Sequence, residues 1–398
     1  MLINKRFSLA AVFFVLILLA IAVRLSMIPQ LSDDMQYFLI PWFEHFEKFG
    51  VVGITTIDSN YNVPYLYLLW VSTNLPFSAI VSIKIITIVF EFIFAALVYF
   101  IVKERYPNNK MYASSAGIAS LFIPTLLLQG ALWGQCDIIY TTFLLGSWWQ
   151  LSKNKQWSAW TLFGIAIAFK LQAIFFLPYI AYMWFSKNQI KRPFRSRQNI
   201  SVFSPFGSVL AIVVLSIPAI LAGRTISSLV GIYMGQVSDP GNSVSFGSAV
   251  SIFQLLVDTS NASVLYLSKP ATLLTVAVLT TIIGAYMFSR FKSKYHDIYI
   301  LPLLLLTITP FLLPFMRSRY FFAAEIFAII FALLTRNKWL IAFAILLQIT
   351  VLPRYALYLW DSTLWPAQYL AVIQLSIIIG MVYLLFSNPK VKQNNDYK

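Results

Sequence analysis

Uninterrupted apolar runs, such as residues 9–23 and 80–102, recur along the whole chain. An α-helix needs about 20 mostly apolar residues to cross a hydrocarbon core of about 30 Å. Backbone in lipid must satisfy its own hydrogen bonds, which leaves helices or closed barrels. Runs of this length predict an all-α polytopic membrane fold, read as one domain over residues 1–398. Composition agrees, with 59% hydrophobic, 17% aromatic and only 11% charged residues, where soluble domains carry about a quarter charged. The single cysteine, Cys136, excludes a disulfide framework, a thiolate cluster and a paired-thiol redox centre. Two histidines, His45 and His296, are too few for a histidine-rich zinc centre.

A formal charge of +15 invites a nucleic-acid reading, which the placement of the charges removes. Twenty of the 29 basic residues fall in seven clusters between apolar runs, from Lys5 and Arg6 to Lys390, Lys392 and Lys398. Only Glu104, Asp297 and Asp396 accompany them. Such clusters mark the cytoplasmic side of a membrane. Keeping all seven inside needs an even number of crossings between neighbours. Twelve segments satisfy this, with both termini and the tail 387–398 cytoplasmic: 7–24, 78–102, 111–128, 138–152, 157–169, 171–186, 206–222, 271–289, 298–316, 320–335, 339–352 and 367–386. The first reads as a retained signal anchor, because no small-residue cleavage pattern follows Arg24. Several segments have about 14 residues, or about 21 Å of helix, so they stop short of the far surface and leave a protein-lined recess there.

The opposite side holds nine of the fourteen acidic residues and two long loops, 25–77 and 223–270. Long loops in compact proteins are commonly functional. The first opens on Ser32-Asp33-Asp34, with Ser32 suited to cap a helix over 37–49 that ends at Gly50. Leu39, Trp42, Phe43, Phe46 and Phe49 give that helix an apolar face, with Glu44, Glu47 and Lys48 opposite, the pattern of a helix lying in the interface with His45 as decoration. The two aspartates read equally as helix caps or as a reactive pair at headgroup depth, and a magnesium site is a third reading. Arg24, Lys170, Arg224, Arg317, Arg319 and Arg354 sit at outer segment ends, where guanidinium groups bind an anionic headgroup in bidentate fashion or simply snorkel. Arg317 and Arg319 repel each other unless an anion lies between them. Lys84 and Glu91, seven apart on one helix, read as a buried structural pair, and His296 as part of a cytoplasmic loop.

Leu132-Trp133-Gly134-Gln135-Cys136-Asp137 resembles the Trp-Gly-Gln-x-Asp signature of the GT-C superfamily of polyprenyl-phosphate-sugar glycosyltransferases. The resemblance extends, in order, over Asp33 with Trp42 and Gly50, then Asn60-Tyr61-Asn62-Val63-Pro64-Tyr65-Leu66-Tyr67, then Phe163-Gly164-Ile165-Ala166 with Lys170-Leu171-Gln172 and Pro178, and ends at Leu313-Pro314-Phe315-Met316-Arg317-Ser318-Arg319-Tyr320. It covers about residues 24–321 and is nearest to bacterial enzymes similar to the ER dolichyl-phosphate-glucose glucosyltransferases and GPI mannosyltransferases. It implies an inverting transfer of a mannose- or glucose-type hexose from a polyprenyl monophosphate to a glycan, lipid or protein hydroxyl, on the outer face of a bacterial inner membrane.

The resemblance also implies a general base in the first outer loop, Asp33 or Asp34. Position after the Ser32 cap, nearest Arg24, puts Asp33 first. Donor phosphate is assigned to Arg319, Arg317, Arg224, Lys170 and Arg24. Substrate contacts are assigned to Trp133, Gln135, Asp137, Tyr61, Asn62, Gln172, Tyr320 and, in a second loop expected to close over the donor, Tyr233 and Gln236, followed by Asp239-Pro240-Gly241-Asn242 and Phe246. Arg317 and Ser318 stand where the family has His and Glu, which leaves Arg319 and Tyr320 as the retained pair. The chain shows no glycine-rich phosphate loop and no cytosolic domain for a nucleotide, so the donor arrives by lipid. No cofactor, metal or nucleic-acid partner is implied; membrane lipids are. Arginines stabilising the departing phosphate and a carboxylate tuned by burial and nearby Arg suffice chemically. The alternatives are a lipid-linked oligosaccharide polymerase, whose outer loops would be richer in Arg, and a flippase or transporter, which would show two related halves.

Overall fold

The computed structural model describes residues 2–189, 202–238, 249–256 and 267–387, and these form an all-helical bundle without a strand. Among the described residues, six helices are long and apolar enough to cross a membrane: α1 (Leu2–Met27), α4 (Ala79–Arg105), α13 (Ser268–Met287), the stretch Ser318–Thr335 that contains α15 (Phe322–Thr335), α16 (Lys338–Trp360) and α17 (Ala367–Leu385). A seventh arises if α5 (Lys110–Ser120) and the stretch Pro124–Trp133, which begins with α6 (Pro124–Leu127), count as one span bent by 46°. The bend follows from Pro124, which drives Ile123 into extended backbone with ψ of 123°. Each of the twelve expected segments is helical over most of its length. Among the shorter ones, α7 (Asp137–Ser152), α8 (Gln156–Phe169), α9 (Leu177–Gln189) and α10 (Phe206–Leu221) fall below spanning length taken singly.

Three helical stretches were not anticipated. In the first long loop, α2 (Ile40–Phe49) leads into a 3₁₀ turn over Gly50–Thr55 and then α3 (Val63–Ser72). In the second, α11 (Ile226–Ser238) follows α10 directly and α12 (Phe253–Leu256) precedes α13. Helix α16 also runs through Pro353 to Trp360, well past residue 352. Asp239-Pro240-Gly241-Asn242, Phe246, nearly all of the tail 387–398 and the central basic cluster from Lys191 to Arg197 lie outside the described residues.

The helical run that starts at Asp33, directly after Ser32, passes through Met35–Leu39 into α2 and stops at Gly50, so it begins earlier than the expected residue 37, and its apolar face turns inward. Leu39, Trp42, Phe43 and Phe46 are buried in the main core, while Phe49 is exposed. The helix is therefore packed on α3 and α4, not laid on lipid. His45 contributes by contacting the Gly53 carbonyl at 3.0 Å through Nε2, which ties α2 to the 3₁₀ turn. Helix α3 docks on α10 through one hydroxyl. Tyr67 donates to the Leu215 carbonyl at 2.9 Å and accepts from the Ala219 amide at 3.0 Å, bridging a rung of the helix beside Pro218. His296 opens the helical stretch before α14 (Leu301–Leu312) and is buried, which corrects the loop expected there.

Candidate active site

The site is assembled at the junction of α1, α4 and the broken stretch that ends at Trp133. After Met27 the chain leaves α1, and Ser32 stitches it to that stretch. Its Oγ accepts from the Met35 amide at 3.2 Å and donates to the Trp133 carbonyl at 2.7 Å. Adjacent residues on a helix start point in different directions, and here only one aspartate faces the protein. Asp33 is exposed on a small recess of about 60 Å³ lined by Ser32, Leu132 and Tyr358. Asp34 is buried and opens onto a cavity of about 1580 Å³. The preference for Asp33 is corrected on this geometry, and the pair does not converge on one cation.

Three donors meet on Oδ2 of Asp34: the Trp133 indole at 2.8 Å, the Gln135 amide at 2.8 Å and Nη1 of Arg319 at 2.6 Å. None of these bonds falls on Oδ1. Oδ2 is thus clamped by three donors, and the Tyr358 hydroxyl interacts with the same carboxylate from α16. Burial pushes the Asp34 carboxyl up, but Arg319 with the Trp133 bond outweighs this and holds it below the ordinary value of 3.8. The group is a carboxylate at neutral pH.

The tryptophan and glutamine reach Asp34 because the backbone between them reverses. Gly134 has φ of +84°, and a Cβ there would lie 2.3 Å from the Met35 side chain, so only glycine fits the turn. Helix α4 holds this turn from beneath. Lys84 donates from Nζ to the carbonyls of Ile28 at 2.9 Å, Gln30 at 2.6 Å and Leu132 at 2.8 Å, and Thr87 donates to that of Gln135 at 3.1 Å. Lys84 and Glu91 do not pair with each other. Glu91 accepts from Nε of Arg24 at 2.5 Å, and the other Arg24 nitrogens donate to the Ala20 and Leu121 carbonyls. Arg24 is 1% exposed and absent from the cavity wall, so the assignment of donor phosphate to it is wrong. Its guanidinium is saturated by the fold.

Other expected site residues divide between the cavity wall and the layer behind it. Tyr61, Gln135, Lys170, Gln172, Arg224, Arg317, Arg319 and Tyr320 line the cavity. Trp133, Asp137 and Asn62 are buried behind that wall. Asn62 is spent on the Ile167 carbonyl at 3.2 Å, and Asp137 pairs with Lys170 while accepting from Gln129 at 2.8 Å. These three are not open to a substrate, which corrects their assignment as contacts. Tyr61 donates to Oε1 of Gln135 at 3.0 Å, so the wall residues form one network with Asp34. Tyr233 lies on α11 but is not part of the wall, and the side chain of Gln236 lies outside the described residues.

Sequence reasoning missed the aromatic backing of the site and one wall of the cavity. Tyr358 of α16 stacks on Trp133 with centroids 4.3 Å apart, and Tyr355 meets the same ring edge-on at 5.3 Å. Their i, i+3 spacing near the C-terminal end of α16 was the available signal. Helix α11 presents Ser228, Gly231 and Gly235 to the cavity, and α13 presents Lys269 and Thr272. Return of the second loop is fixed beside Arg317, where the Ala249 amide donates to the Met316 carbonyl at 3.1 Å. In sequence comparison, no family model and no curated protein matches the chain.

Proposed function

We propose that this protein is an inverting glycosyltransferase of the GT-C kind. In this reading it crosses a bacterial inner membrane twelve times and moves a mannose- or glucose-type hexose from a polyprenyl phosphate to an acceptor hydroxyl on the outer side. The observation that carries the proposal is Asp34: a carboxylate with one oxygen clamped by three donors, on the wall of a cavity far larger than a single water site and beside two arginines. The acceptor oxygen attacks the anomeric carbon as its proton passes to Oδ1 of Asp34. The bond from that carbon to the phosphate oxygen breaks on the opposite face, and the electron pair leaves on the phosphate. Arg319 and Arg317 stabilise the charge that grows there. The donor phosphate also competes with Asp34 for Arg319, which raises the basicity of the carboxylate when the donor is bound.

Lys170 pairs with Asp137, which is buried behind the cavity wall where Asp34 is not, so its role in this reading is to hold that wall. The test is incubation of purified protein with a panel of radiolabelled polyprenyl-phosphate sugars. Transfer from one of them, lost in Asp34→Asn, supports the reading. Movement of lipid-linked sugar across vesicles with no transfer replaces it with a transporter.

A further inference from the structure

The cavity carries more positive charge than one monophosphate donor requires. Its wall holds Lys170, Arg224, Lys269, Arg317 and Arg319 against Asp34 and the exposed Asp58. Lys170 and Arg319 are matched internally by Asp137 and Asp34. Arg224, Lys269 and Arg317 have no carboxylate within 4 Å among the described residues. A sugar phosphodiester brings one negative charge, and in the proposed reaction it lies at Arg319 and Arg317.

Arg224 is the cation left over that is hard to explain by the fold alone. Only 7% of it is exposed, and a buried charge without a counterion is costly. It sits at the corner between α10 and α11, where Nη1 donates to the Ile54 carbonyl at 3.0 Å and Nε to Ser228 at 3.2 Å. These bonds orient the guanidinium without neutralising it. Ser228, one turn on, lines the same wall, and Lys269 and Thr272 come from α13. The site is built on other groups than that of Arg319: Arg224 bonds the Ile54 carbonyl and Ser228, whereas Arg319 bonds Asp34. A planar guanidinium fork with an adjacent hydroxyl, and an ammonium on the wall of the same cavity, suits a phosphate oxyanion. The outer faces of α10, α11 and α13 are apolar, with Leu210, Val214, Met234 and Leu273 exposed, so a phosphate reaching this wall from the bilayer brings a hydrocarbon chain.

We infer that the cavity has a second anion site, centred on Arg224 with Ser228 and Lys269, which takes the phosphate ester of a membrane-anchored acceptor. The inference rests on the proposed transfer reaction and adds the acceptor class to it. Native mass spectrometry of the full-length protein in nanodiscs, titrated with undecaprenyl phosphate, tests it. Two lipids are expected to bind the wild type. Arg224→Gln is expected to retain one, and Arg224→Lys to bind the second at least about ten-fold more weakly through loss of the fork. Arg317→Gln is expected to weaken the other site and not this one. Parallel titrations with inorganic phosphate and with phosphatidylglycerol separate the source: displacement of the second lipid by free phosphate alone overturns the requirement for an anchored ligand, and equal displacement by phosphatidylglycerol overturns an acceptor in favour of a structural lipid. One lipid bound by the wild type and unchanged in Arg224→Gln overturns the second site while leaving the transferase reading intact. No lipid bound by any form counts against the transferase reading itself. Should Arg224→Gln fail to fold, Arg224→Lys decides, because it keeps the charge.

Discussion

Arg24 and Arg319 are both buried arginines bonded to a carboxylate, and they mean different things. Arg24 gives every nitrogen to the protein, bonding Glu91, Ala20 and Leu121 with 1% of its surface exposed. Arg319 bonds Asp34 through one nitrogen, leaves Nε without a partner among the described residues and lines the cavity. A guanidinium has five N–H donors. Where each nitrogen is bonded and the group is sealed from the cavity, the residue is structure; where a nitrogen keeps no partner and the residue lines the cavity, it is available to a ligand. Proximity to the membrane surface, which grouped the two in the sequence, does not separate them.

The sharpest break in this comparison comes from the carboxylates. Asp34→Asn keeps size and loses basicity, so sugar transfer is expected to fall by roughly 10²–10⁴-fold, while Asp33→Asn, on the exposed recess, is expected to stay close to wild type. Radiolabel transfer measured side by side checks both, and a larger loss at Asp33 reverses the assignment made here.

Removing Arg319 with Gln is expected to lower turnover by roughly 10²–10³-fold and to move the acidic limb of the pH–rate profile to higher pH. The sign follows from the direction of the Asp34 shift. Its carboxyl lies below 3.8 because of Arg319, so the ion pair stabilises the fold above that pH and is lost as pH falls through the depressed value. Without the Arg319 guanidinium, burial is opposed only by the Trp133 bond and Arg317, and protonation occurs at higher pH. A limb that does not move would show that Arg319 is not what holds the base ionised.

Arg24→Met is the matching cut on the structural side. Leaving Glu91 buried without its partner costs about 3–5 kcal/mol, so the thermal midpoint is expected to drop, while the fraction that remains folded keeps the wild-type donor affinity. Donor affinity lost at constant thermal stability would place Arg24 back in the site. Lys84→Met falls between the two cases. It releases three carbonyls on the segments that carry Asp34 and Trp133, so kcat is expected to fall by roughly ten-fold with little change in donor KM, and Lys84→Arg to restore part of it. An equal rise in KM would assign Lys84 a direct role in binding. The smallest effect expected is topological: cysteine at Asp58 should react with an impermeant thiol reagent from outside intact cells and leave transfer nearly unchanged.

How far the site was legible can be read from particular residues. Ser32 as a cap, Gly50 as a helix end and the closeness of Arg317 to Arg319 were visible, since each is a local matter of hydrogen-bond donors, φ angles or charge spacing, whereas Trp133 to Asp137 stood out only through the motif it resembles. Hidden were the partners drawn from distant sequence: Arg24 with Glu91, Lys170 with Asp137, Asp34 with Arg319, and the stacking of Tyr358 on Trp133. Ion pairs between different helices leave no periodicity, so no pattern along the chain announces them. The α2 face illustrates the same limit, because a stripe of Trp42, Phe43 and Phe46 is equally suited to lipid and to a protein core.

By itself the sequence determined the class of the molecule. Apolar runs of helical length leave the backbone no other way to satisfy its hydrogen bonds in hydrocarbon, although the expected segment 111–128 ran straight through the break that the structure shows at Pro124. Only the tertiary structure decided which of two adjacent aspartates faces a cavity, which arginines are consumed by the fold and which keep donors free. Those outcomes depend on what is brought within about 3 Å of a charge once helices far apart in sequence pack together, and burial raises the energy of each such contact well above anything local propensity contributes.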